Sequence, residues 1–155
     1  MNIEIERKFL LKNSLWKEGA NGVRYKQAYL NEKGDNTVCV RIEGDKAKLT
    51  IKSKANNISR MEFEYDIPME DAEKLFLIAK TSAVEKNRYK IMYEGNCWEV
   101  DEFLGDNEGL VVAEIELESE TQIFAKPAWI GEEVSGDSRY TNANLARNPY
   151  KNWKR

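Results

Sequence analysis

Period two dominates the chain from residue 2 to about residue 118, the spacing of strands with one apolar and one polar face. Ile3, Ile5 and Phe9 alternate with Glu4, Glu6 and Lys8, with Arg7 the one charge on the apolar side. Val38, Val40 and Ile42 alternate with Thr37, Cys39 and Arg41, and Leu49 and Ile51 with Lys48, Thr50 and Lys52. Met61, Phe63, Tyr65 and Ile67 interleave with Arg60, Glu62, Glu64 and Asp66. Tyr89 and Ile91 oppose Lys86, Arg88 and Lys90; Trp98 and Val100 oppose Glu99 and Asp101; Ala113, Ile115 and Leu117 oppose Glu114, Glu116 and Glu118. With the run Tyr25 to Leu30, about eight strands are predicted. Turn residues at 43–45, 55–57, 94–96 and 105–107 place hairpins between neighbours, so pairing is sequential and antiparallel.

The period changes to that of a helix at residues 70 to 80, where Ala72, Leu75, Phe76 and Ala79 share a face behind an acidic first turn. A second short helix is predicted from a Ser119 cap to just before Pro127, and helical turns around Asn142 to Arg147. No linker, repeat or composition shift divides the chain, so residues 1–155 read as a single domain.

Composition narrows the chemistry. The chain has no histidine, which excludes imidazole bases, His-containing triads and His-ligated zinc. Two cysteines, Cys39 and Cys97, cannot build a thiolate zinc site, and without a signal peptide no disulfide is expected and the chain reads as cytoplasmic. A third of the residues are charged, yet the net charge is −3, which argues against nucleic acid as a partner. No apolar stretch approaches the roughly 18 to 20 residues of a membrane helix, and helices between the strands argue against a membrane barrel. Any metal here is ligated by oxygen.

The polar faces are sorted by sign. Strands holding Glu62, Glu64 and Asp66, then Glu99 and Asp101, then Glu114 and Glu116 are acidic; those holding Arg41, Lys48 and Lys52, then Lys86, Arg88 and Lys90 are basic. About eight antiparallel strands can close on themselves, turning the charged faces inward to a polar tunnel and leaving the apolar faces to be covered by helices. Converging carboxylates suggest a hard divalent cation, and converging Lys and Arg a polyanion with phosphate groups. A metal-bound polyphosphate satisfies both sets, while structural ion pairing within the wall is the competing explanation.

Glu4-Ile5-Glu6-Arg7-Lys8 is an E-x-E-x-K strand that resembles the signature of the CYTH superfamily, the triphosphate tunnel metalloenzymes. Further segments match in order: Gln27-Ala28-Tyr29-Leu30, Leu49-Thr50-Ile51-Lys52-Ser53, Arg60-Met61-Glu62-Phe63-Glu64, Glu85-Lys86-Asn87-Arg88-Tyr89, Glu99-Val100-Asp101, Ala113-Glu114-Ile115-Glu116-Leu117 and 136–142. They span nearly the whole chain, which looks most like the small bacterial inorganic triphosphatases. The resemblance implies a mainly β (α+β) fold: a closed eight-stranded antiparallel β-barrel forming a polar tunnel, with helices packed outside. It implies Glu4, Glu6, Asp101, Glu114 and Glu116 as metal residues, and Lys8, Arg41, Lys52, Lys86, Arg88 and Arg139 as phosphate-binding residues. Glu62 and Glu64 match a further acidic strand that holds metal or positions water, and Tyr29 an aromatic near the triphosphate end. In relatives the third strand usually carries Arg-x-Arg; here it reads Cys39-Val40-Arg41, and restoring Arg at Cys39 is expected to tighten triphosphate binding.

The function so implied is metal-dependent hydrolysis of tripolyphosphate to pyrophosphate and phosphate, with two ions of Mg²⁺ or Mn²⁺ present when substrate is bound. Glu4, Glu6, Lys86, Arg88 and Glu116 would carry the chemistry. The alternatives are a class IV adenylate cyclase, a thiamine or nucleoside triphosphatase, and a non-catalytic module that binds triphosphate or polyphosphate.

Overall fold

The computed structural model describes residues 2–32 and 34–154. Eight strands follow the predicted alternation: β1 (Ile3–Leu11), β2 (Gly22–Tyr29), β3 (Thr37–Glu43), β4 (Lys46–Lys52), β5 (Ser59–Ile67), β6 (Val84–Tyr93), β7 (Asn96–Phe103) and β8 (Val111–Glu116). All neighbours are antiparallel, in the order β5-β4-β3-β2-β6-β7-β8-β1, and pairing of β5 with β1 closes the ring into a barrel. Pairing is sequential only from β2 to β5 and from β6 to β8. A helix carries the chain from β5 across to β6, which pairs with β2, and β1 pairs with β8 and β5 instead of β2, because local turn signals fix hairpins but not the longer connections. The two tightest hairpins turn on two residues each. Gly44 (φ 60°) follows Glu43 in one, and Glu94 (φ 49°) with Gly95 (φ 80°) makes the other, the left-handed backbone such turns require.

Closure at β1 is shared. Residues 3–5 pair with β5, whereas further along the same strand Phe9 and Leu11 pair with a ninth strand, β9 (Ile130–Glu133), which the sequence pattern did not announce. Glu6 N donates to Ile58 O and Lys8 O accepts from Val134 N, so β5 and β9 occupy successive stretches of one β1 edge while β8 fills the other. The seam is thereby covered along the length of β1.

Apolar side chains face outward, as predicted, and the core lies around the barrel rather than within it. Helix α1 (Met69–Ile78) sets Ala72, Leu75 and Phe76 against Ala28, Val40 and Ala47 of β2, β3 and β4. On the opposite wall Phe9, Trp98, Val100, Ala113 and Ile115 are covered by Phe124 and Trp129, whose rings lie 5.7 and 6.1 Å from that of Trp98. The segment carrying Phe124 is not the helix predicted from Ser119: it makes one turn, Gln122 N donating to Ser119 O, and then runs on without regular structure. A helix stopped by Pro127 would be too short to stabilise itself. The segment is instead held by burial of Phe124 and by Glu120, which accepts hydrogen bonds from Asn57 and Ser59. Helix α2 (Asn142–Arg147), capped by the Thr141 side chain, buries Leu145 and Ala146 against Tyr29, Val84 and Phe103 at one end of the barrel.

Candidate active site

Alternation along the strands sends one polar residue in two into the lumen, a polar cavity of about 260 Å³. Glu4, Glu6 and Lys8 come from β1, Tyr25, Gln27 and Tyr29 from β2, and Cys39, Arg41 and Glu43 from β3. β4 contributes Lys48, Thr50 and Lys52, β5 Arg60, Glu62 and Glu64, β6 Lys86, Arg88 and Lys90, and β7 and β8 Glu99, Glu114 and Glu116. Thr141, Asn142 and Ala143 complete the lining at the α2 end.

Cations and carboxylates hold one another across the strands. Lys52 lies 3.1 Å from Glu4 and 3.4 Å from Glu62, and Arg60 is 2.9 Å from Glu4. Arg41 and Lys48 converge on Glu64 at 2.8 and 2.9 Å. Lys86 lies 2.9 Å from Asp101, which also takes two hydrogen bonds from Arg88 at 2.7 and 2.8 Å, and the Lys86 amine donates to Asn142 Oδ1 at 3.1 Å. Burial would raise the Glu4 carboxyl, but Lys52 and Arg60 hold it down at about 2. Burial lowers the Lys86 amine, an effect Asp101 opposes.

The acidic wall formed by β1, β7 and β8 is different. In the ladder Glu6 stands opposite Glu116, and Glu99 opposite Glu114, arrangements that destabilise a sheet. Among the described residues Glu6 and Glu116 have no ion-pair partner. Burial and the facing charges of Glu114 and Glu4 push the Glu6 carboxyl well above the usual range, and burial with Glu4, Glu62 and Glu99 raises Glu116. Glu114 goes the other way: burial would raise it, but Lys8, Arg88 and Lys86 bring it well below its ordinary value. No three acidic or thiol groups among the described residues already converge at ligand spacing. The donors are nevertheless of the right kind for a hard divalent cation: several carboxylates opposed in the ladder, two of which, Glu6 and Glu116, have no ion-pair partner among the described residues.

Of the residues predicted from sequence, all line the lumen except Asp101 and Arg139. Asp101 is fully buried in the wall, where its oxygens are taken by Arg88 and Lys86. Arg139 is 57% exposed, pairs with Asp137 and lies over the rings of Tyr140 and Trp153. Cys39 is buried beside Tyr29 and Val84, and both cysteines are free thiols. Sequence reasoning passed over Arg60, Glu43, Glu99 and Thr50 as site residues, although the same alternation points each of them inward, and it placed Lys48 on the basic strand without assigning it to the site. Asn142, which comes from another element, carried no such signal.

A closed antiparallel barrel with carboxylates and cations facing one lumen defines the class, and the family follows from it. The CYTH domain family matches residues 2–150, and the chain belongs to that family. It is 50% identical over 155 residues to an inorganic triphosphatase of Acetivibrio thermocellus, covering 99% of both chains. It is 36% identical over 148 residues to an inorganic triphosphatase of Nitrosomonas europaea, covering 92% of this chain and 96% of the other. A crystal structure of an inorganic triphosphatase superposes with a TM-score of 0.68 at 34% identity, over 92% of this chain and 93% of that one. Among the described residues no helix is long and apolar enough to cross a membrane.

Proposed function

We propose that the protein hydrolyses inorganic tripolyphosphate to pyrophosphate and phosphate within the lumen, using a divalent cation, Mg²⁺ or Mn²⁺. The observation that carries the reading is that Glu6 and Glu116, opposed in the ladder, have no ion-pair partner among the described residues, in a lumen where cations suited to phosphate hold the other carboxylates. Glu6 and Glu116, with Glu4 and Glu114 beside them, would hold the metal, which when bound supplies charge neutralisation and a water of lowered pKa. Two unpaired thiols fit a reducing, cytoplasmic setting, with a small-molecule triphosphate as the partner.

Phosphoryl oxygens would take over the donors that carboxylates occupy in the substrate-free protein. Lys52 and Arg60 turn from Glu4, Arg41 and Lys48 from Glu64, and Lys8 from Glu114, which frees carboxylates as substrate arrives. Arg88, fixed by Asp101 on one edge of its guanidinium, and Lys86 stabilise charge developing on the transferred group and on the leaving pyrophosphate. Asp101 would act through these two cations, and Glu62, which lines the lumen, would orient the attacking water. Water adds to a terminal phosphorus as the anhydride P–O bond breaks. Both bond electrons leave with pyrophosphate, and one proton is released to solvent above the pKa of phosphate. No side chain forms a covalent bond, in keeping with a chain without histidine.

The test is incubation with tripolyphosphate, ATP and thiamine triphosphate in Mg²⁺ or Mn²⁺, following phosphate and cyclic AMP. Tripolyphosphate as the best substrate, with turnover lost on chelation, is expected; cyclic AMP as the main product would overturn the hydrolase reading. Glu116→Ala is expected to lower metal-dependent turnover by roughly 100-fold, and an unchanged rate at saturating Mg²⁺ would remove Glu116 from the metal set.

A further inference from the structure

β4 presents Lys48, Thr50 and Lys52 to the lumen. The two lysines are tied to carboxylates, Lys48 to Glu64 and Lys52 to Glu4 and Glu62. Thr50 between them is 1% exposed, and its Oγ1 has no hydrogen-bond partner among the described residues. A buried hydroxyl in that state costs stability, and buried polar groups are nearly always satisfied. On the β3 side the wall around it is uncharged, and on the β5 side Glu64 stands opposite it, tied to Arg41 and Lys48. Cys39 stands opposite Thr50 in the ladder and Tyr29 opposite Cys39, while the Tyr29 hydroxyl accepts from Gln27 Nε2 at 3.2 Å. Burial pushes both the Cys39 thiol and the Tyr29 phenol up, which keeps them neutral.

A stretch of β3 and β4 without a cation, Cys39 and Thr50, therefore lies between two cation sets, Arg41 with Lys48 and Lys52 with Arg60. The Cα atoms of Lys48 and Lys52 are about 13 Å apart at a strand rise of about 3.3 Å per residue, with Thr50 midway. A linear phosphoryl chain whose ends are held by the two sets passes over Thr50. We propose that Thr50 is a substrate-binding residue whose hydroxyl donates a hydrogen bond to a phosphoryl oxygen between the two cation sets. The inference rests on the triphosphate reading above and adds to it a neutral donor satisfied only when the anion is bound. A second cation here would have to be buried beside Arg41 and Lys52; a hydroxyl contributes a donor without adding charge.

Thr50→Val keeps the branched shape and removes the hydroxyl. The free variant is expected to melt about 2–4 °C above the parent, because an unsatisfied buried group is gone. Its KM for tripolyphosphate is expected to rise about tenfold with a smaller change in kcat, and the thermal upshift given by tripolyphosphate, with or without Mg²⁺, is expected to shrink. Thr50→Ser is expected to restore both. Unchanged KM and upshift in Thr50→Val overturn the proposal, as does a loss accompanied by a lower melting point of the free variant, which marks a structural role. A parent protein that neither binds nor hydrolyses tripolyphosphate overturns the triphosphate reading itself; a parent that does both beside an indifferent Val variant removes Thr50 alone.

Discussion

Glu4 and Glu6 lie two residues apart on one face of β1, and the lumen moves their carboxyls in opposite directions. Burial acts to raise both; Lys52 and Arg60 reverse this at Glu4, whereas Glu114 and the charge of Glu4 reinforce it at Glu6. The consequences for stability have opposite signs. Glu4, held at about 2 against an ordinary 4.5, contributes stability that is present above pH 4.5 and lost as pH falls towards 2. Glu6, raised from 4.5, contributes stability that is present below that value and lost as pH rises through its elevated pKa. Thermal melts of the metal-free protein across pH 2 to 7 check this. Glu4→Gln is expected to flatten the loss between pH 4.5 and 2, and Glu6→Gln to melt higher than the parent at pH 7 while losing metal-dependent turnover. A Glu6→Gln protein that melts lower at pH 7 would contradict the account of the acidic wall. At Cys39 the structure shows what the sequence left open: the thiol is buried beside Tyr29 and Val84 and close to the Arg41, Lys52 and Lys86 charges. An arginine introduced there meets three cations, and its guanidinium finds its counter-charge only when a phosphate is bound.

Elements owe their positions to two different kinds of information. The strands and α1 were legible because each repeats its pattern over enough residues: Ala72, Leu75 and Phe76 recur at helical spacing, and they are the side chains that meet Val40 and Ala47. Ala72 is fully buried against small partners, so Ala72→Leu would overpack this contact. It is expected to cost about 1–3 kcal/mol in urea unfolding while leaving KM for tripolyphosphate unchanged. The segment from Ser119 to Lys126 misled because its capping residue and acidic first turn are real signals of a helix that is too short to form. Phe124 gains more by packing against Phe9 and Trp98, at ring distances of 6.3 and 5.7 Å, than a helix of that length could offer. β9 was missed for the converse reason. Its few residues carry no clear alternation and become a strand only because β5 leaves the edge of β1 open beyond Ile5.

Across the whole molecule a third of the residues are charged and the net is only −3, and the barrel turns that balance into geometry. The fold is held by the closed ladder and by apolar layers outside it, so chelation is expected to abolish turnover while the protein stays folded, its melting point falling only by the stabilisation that the bound metal had supplied, measured by activity and thermal unfolding in parallel. Tripolyphosphate with Mg²⁺ at about 100 times its Kd is expected to stabilise the protein by about 2.7 kcal/mol, seen as a concentration-dependent rise in melting temperature. An inert response would contradict a lumen preformed for the anion. By itself the sequence determined the eight principal strands, the hairpin pairings from β2 to β5 and from β6 to β8, the inward parity of the charged residues and the family, because each follows from local periodicity and short motifs. The pairings of β1 with β8 and β5 and of β2 with β6 came only with barrel closure. Only the tertiary structure decided which charges neutralise one another and which are left without a partner. Asp101 is spent on Lys86 and Arg88 and Arg139 on Asp137, whereas Glu6 and Glu116 face each other and Thr50 Oγ1 has no hydrogen-bond partner among the described residues. Those outcomes depend on distances between strands far apart in sequence, set by register and barrel closure, which no local pattern encodes.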